Sequence, residues 1–188
     1  MKTLLDWWTQ ARDEGLPPPC LLIDCAGLEG GQAALPREAC SALECLFSGD
    51  LGEELADVGG YLAQLGGWEP PVFEVVDDLM RGQLAVLLVM PSAGDDDAAS
   101  GAGSASSAAS ATSFTHLHRH LRKFNVVYGP NGQPLFWRYY DPRVLPGVLA
   151  SFDDTRRQAF LGPFAAALVM LEDGTLQVAA SRSDAMVG

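Results

Sequence analysis

The sequence has 188 residues, 48% of them hydrophobic, enough for one domain that buries a sizeable core. Twelve basic residues against 24 acidic ones give a formal charge of -12, which repels phosphate backbones and argues against a nucleic-acid partner. No segment reaches the roughly 18 consecutive apolar residues of a membrane helix, so no membrane partner is expected.

The first element is an amphipathic helix in MKTLLDWWTQARDEG. Asp6 and the paired tryptophans interrupt any apolar signal core, so the expected location is the cytoplasm. GLPPPC ends the helix and leads into CLLIDCAGL, an apolar run of the kind found in central strands. LPREACSALECLF reads as a helix with Pro36 in its first turn. SGDLGEELADVGGYLAQL contains a strand-like YLAQL. FEVVDDLMRGQ is helical, and LAVLLVM, residues 84–90, is a second apolar strand.

The four cysteines form two C-x4-C pairs, Cys20/Cys25 and Cys40/Cys45. On a strand, positions five apart face opposite sides; on a helix they lie roughly 140° apart. Neither pair converges on one ion, so the thiols are expected to be free and mostly buried.

Residues 91–113, PSAGDDDAASGAGSASSAASATS, contain no aromatic or large aliphatic side chain. Such a segment buries too little surface to offset its ordering entropy and reads as a flexible loop inside one domain. FTHLHRHLRKF then places Phe114, Leu117, Leu121 and Phe124 at helical spacing, with Thr112 or Ser113 as the cap. It holds all three histidines. His116 and His120 share a face and His118 lies about 180° from their midpoint, so at most two serve one metal. Arg119 and Lys123 repel a cation, and no HExxH glutamate is present. A solvated polar face is the plainer reading, and no cofactor or metal is expected.

NVVYGPNGQPLFWRYYD reads as a hairpin with Pro130-Asn131-Gly132 at its turn. Continued as a strand, Phe136, Arg138 and Tyr140 share one face and Trp137, Tyr139 and Asp141 the other. Asp141 before Pro142 is the N-cap of a short helix in DPRVLPGVLASF, and Asp153 caps another in FDDTRRQAFLGP. FAAALVML and TLQVAAS form a last hairpin around Glu172-Asp173-Gly174. The expected fold is α/β: a single domain over residues 1–188, with a mixed sheet, covering helices and C-terminal hairpins.

HLRKFNVVYGPNGQPLFWRYYDPRVL resembles the effector-adaptor domain of type VI secretion, the Tap/TEC chaperones. In that family an HLRRF-like helix end leads through a hairpin to an F-R-[FY]-Y-D-P-R-V-L signature. LLIDCAGL, GEELADVGGYLAQL and FLGPFAAALV extend the likeness over roughly residues 20–171. The resemblance implies a non-enzymatic adaptor that binds a toxin effector and helps load it onto the VgrG spike protein. Arg138, Tyr140, Asp141, Pro142 and Arg143 occupy the signature. With Arg119 and Arg122 on the preceding helix, Arg138, Tyr140, Asp141 and Arg143 are the candidate partner-binding residues. Many relatives continue into a helical C-terminal lobe; here the sequence ends soon after TLQVAAS, so the core alone is expected to bind, or the chain is a minimal or truncated member. Catalytic elbows, Walker loops and dinucleotide fingerprints are absent. The competing reading is a small metal-dependent hydrolase using His116, His120 and nearby acids.

Overall fold

CLLID forms β1 (Cys20–Asp24), and all five residues are buried because β1 lies at the centre of a six-stranded sheet. The computed structural model describes residues 2–47, 49–91, 106–128 and 131–182. β1 pairs with β3 (Gly60–Leu65) on one side and β4 (Ala85–Val89) on the other. Beyond β3 lies β2 (Cys40–Cys45), and beyond β4 lie β7 (Ala166–Met170) and β8 (Leu176–Ser181). The order is β2-β3-β1-β4-β7-β8, and every pairing is antiparallel. A separate two-stranded ribbon joins β5 (Val126–Tyr128) to β6 (Pro134–Phe136).

Alternation along the strands divides the interior into two layers. Leu21, Ile23, Tyr61, Leu87 and Leu168 face one way, against α1 (Leu4–Asp13) and α3 (Pro70–Arg81). Trp8 anchors that layer: its ring meets Trp68 edge-on at 4.7 Å, and its indole N–H donates to the Trp68 carbonyl. Cys20, Leu22, Leu62, Leu88 and Val169 face the other way, against α4 (Ser106–Arg122), α5 (Leu145–Ser151) and α6 (Asp154–Leu161). A short α2 (Asp50–Glu54) connects β2 to β3. The chain is therefore an α/β domain with helices on both faces of one sheet. Among the described residues no helix is long and apolar enough to cross a membrane.

Three sequence expectations are corrected. CSALEC is not a helix: only a single 3-10 turn forms at Arg37–Ala39, and the chain then becomes β2. Ala, Leu and Glu favour helices, but pairing with β3 overrides so weak a preference. A bulge between Cys40 and Ala42 also breaks the alternation that would mark a strand.

The helix expected from Phe114, capped by Thr112 or Ser113, begins instead at Ser106. Alanine-rich sequence extends an established helix at little cost, and the anchored turns behind it supply the nucleus. Residues 92–105 of the expected loop lie outside the described residues, as does Pro130 of the hairpin turn.

Nor does the hairpin strand run on through Asp141. It ends at Phe136, and Asp141 caps a turn before α5 rather than the helix itself, accepting from the Arg143 backbone N–H at 3.0 Å. Asp153 does cap α6, accepting from the Arg156 N–H. The last hairpin forms as expected.

Gly60 pairs with Asp24 across the end of the sheet, and the Tyr140 ring lies flat where a Cβ at Gly60 would stand. Gly60→Ala should therefore destabilise the domain by about 1–3 kcal/mol through overpacking. Gly66→Ala, whose Cβ would meet the Ala39 carbonyl at an ordinary 3.5 Å, should change stability by less than about 1 kcal/mol. Urea unfolding of both variants checks the contrast.

Candidate functional site

The signature residues close around the end of β1. Asp24 is fully buried, and its Oδ2 accepts from Arg138 Nη2 at 2.6 Å. Arg143 approaches the same oxygen at 3.7 Å while gripping Asp141 through Nε and Nη2, both at 2.8 Å. Two carboxylates and two guanidiniums thus neutralise one another at the corner between β6 and α5. Burial alone would push the Asp141 carboxyl up; the bonds from Arg143 and the charge of Arg138 outweigh it and hold the group below its usual range.

Tyr140 and Asp141 are interior residues that lock this corner, rather than parts of a surface. Arg138 and Arg143 leave 45% and 59% of their side chains exposed, yet both spend their donors on the buried acids. Trp137 and Tyr139 are also buried, in a cluster of rings with Phe124 and Phe160. The Tyr139 hydroxyl sits 2.9 Å from Asn125 Oδ1 and 3.0 Å from the Leu121 carbonyl, sharing its one proton between them. Asn125 in turn donates to the Leu46 carbonyl at 2.6 Å.

The histidine helix is not merely a wet face. His118 Nε2 donates to the Cys45 carbonyl and His120 Nε2 to the Phe160 carbonyl, each at 2.8 Å. These bonds lead to opposite neighbours of α4, so the two rings do not converge. Among the described residues no group of three or more metal-ligating side chains comes together. All four cysteines are free thiols. Burial pushes the Cys20 thiol up to about 12 and that of Cys25 to about 11, which leaves both unreactive at neutral pH.

Arg119 and Arg122 stand on the exposed side of α4 with Lys123 just past its end. They form one wall of an open cleft of about 430 Å³ whose floor is Leu46, Phe47, Val126 and Phe136. Phe136 meets Phe47 edge-on at 5.8 Å, which ties the β5–β6 ribbon to the domain. The hairpin itself was expected from the sequence; the exposure of its apolar side chains was not. Of the nine exposed large hydrophobic side chains described, five sit on its two strands: Val126, Val127, Tyr128, Leu135 and Phe136. Isolated exposed apolar residues are ordinary, but a cluster on one projecting element marks an interaction surface. The signal was present in VVY and PLF, whose apolar residues follow no two-residue alternation and so leave neither face polar.

Two measurements follow from this geometry. Arg138→Leu leaves the Asp24 carboxylate with only the more distant Arg143, and should cost about 2–4 kcal/mol. Asp24→Asn combined with Arg138→Leu should cost less than the sum of the two single changes, which a double-mutant cycle in urea reads directly. The second concerns His120, whose proton affinity burial lowers below the usual 6.5 against the opposing hydrogen bond to the Phe160 carbonyl, with Lys123, His116 and Arg182 adding to the lowering. A neutral His120 therefore contributes stability that is complete above about pH 6.5 and is lost as pH falls through the lower folded value. His120→Gln should flatten the fall in stability between about pH 7 and 5, measured by unfolding across that range.

Comparison with known proteins follows the same region. The family model for the domain of unknown function DUF4123 matches residues 21–159, which include β1, the ribbon, the signature corner and most of α6. No curated protein and no solved structure matches the chain. The match spans more than half of the sequence, and the chain belongs to the DUF4123 family.

Proposed function

We propose that the chain is a non-enzymatic adaptor of type VI secretion, which captures a toxin effector in the cytoplasm and brings it to the VgrG spike protein. The pathway is supported by family membership together with the resemblance of HLRKF and YYDPRVL to the adaptor signature. Protein binding is supported by one observation above all: an apolar ribbon left uncovered beside a basic helix end. Full burial of a large apolar side chain yields about 1.5–3 kcal/mol, so covering five half-exposed ones offers on the order of 5 kcal/mol before the costs of association. In this reading the signature acids and arginines hold the ribbon in place, and Arg119 and Arg122 meet the partner.

Co-purification of the tagged chain with the effector and VgrG proteins encoded beside it tests the proposal. A stable complex that requires the chain is expected. Arg119→Glu with Arg122→Glu should weaken capture by about tenfold or more while the circular dichroism spectrum is unchanged. Capture of neither neighbour, or capture untouched by the charge reversal, would count against the proposal.

A further inference from the structure

We infer that the cleft between the end of α4 and the β5–β6 ribbon takes an acidic segment of a partner protein carrying one large apolar anchor. The inference rests on the adaptor reading and names what that reading's surface would recognise.

The floor sets the anchor. Phe47, Val126 and Phe136 present aromatic and branched carbon, and about 430 Å³ is near the small end of ligand pockets. That volume holds one or two side chains and not a whole helix. The wall sets the charge. Arg119 and Lys123 are spaced i and i+4, so they stand side by side on the exposed surface at the helix end. Like charges at this spacing repel, and a carboxylate laid along them relieves the repulsion. Their two positive charges outweigh the roughly half negative charge of the helix end.

The chain as a whole is strongly acidic, but most of that charge lies too far from the cleft to oppose an acidic partner. At physiological salt, charges separated by more than about 8 Å are largely screened, so the local wall governs recognition.

The test uses the full chain and three fluorescent peptides of about a dozen residues, read by anisotropy at physiological salt, about 0.15 M, where the distant acids are screened. One has a central Phe-Leu flanked by glutamates, one replaces the glutamates by glutamines, and one replaces Phe-Leu by serines. The acidic anchored peptide should bind about tenfold tighter than either control. That preference should vanish in Arg119→Glu/Lys123→Glu and weaken in Phe136→Ser. The helix-surface variant keeps the test decisive if Phe136→Ser disturbs the ribbon.

Equal binding of all three peptides, or a preference that survives charge reversal, overturns the inference. So does sedimentation showing a dimer that the same variants dissociate, since a second copy would then be the occupant. If the peptide preference holds but neither neighbouring protein is captured, the adaptor reading falls and the cleft chemistry stands. If the neighbours are captured without any peptide preference, only this inference falls.

Discussion

A carboxylate with no access to water, at the end of a central strand, is the constraint around which the functional half of the molecule is arranged. Asp24 cannot stand alone in that position, because an unpaired buried charge costs several kcal/mol. Its partners come from far along the chain, Arg138 at 2.6 Å and Arg143 at 3.7 Å, the latter also holding Asp141. Pairing its Oδ2 with Arg138 ties the turn after β6 to the end of β1, while its Oδ1 is buried without a hydrogen-bond partner among the described residues. Buried ion pairs add little net stability compared with apolar packing. Here the gain is positional: one arrangement of the corner neutralises Asp24, and Tyr140 fits over Gly60 in that arrangement.

The end of α4 does comparable work through neutral groups. His118 and Asn125 donate to the carbonyls of Cys45, the last residue of the edge strand β2, and of Leu46 just beyond it, while His120 reaches α6. An unpaired strand edge invites unwanted pairing. The bulge at its start and the side-chain donors at its end both limit the usable edge of β2. Gly162, with φ of 43°, belongs to the same arrangement: the His120 ring occupies the space where a Cβ would stand. The polar residues of HLHRHLRKF therefore differ in role, with His118 and His120 bonded inward and His116, Arg119 and Lys123 on the exposed side.

Much of the fold is legible because buried strands and amphipathic helices leave strong patterns. CLLID, LAVLLV and AALVM are continuous apolar runs, and each becomes a strand buried on both faces. The failures lie where two signals compete. CSALEC carries helix-forming residues and a bulge, and only pairing with β3 decides its state. FWRYYD alternates aromatic and charged residues, yet Asp24 and its distant partners bend it into a turn, a cause no local reading contains. For the site, the basic residues of the helix were visible as sequence. The ribbon's exposure was not, because burial depends on what packs above an element rather than on its composition.

The strand order carries a consequence for how the domain is made. The pairings among β1, β2, β3 and β4 all fall within the first 89 residues, so these four of the six strands can pair while the chain is still being synthesised. The helices α1 and α3 that cover its first face are present by then as well. Leu87 must wait for Leu168, and the second face stays bare until α4, α5 and α6 emerge. Vectorial synthesis thus yields a half-covered sheet first, with Leu22, Leu62 and Leu88 open to water. The interval during which a nascent chain displays that face is set by the elongation rate across residues 90–165.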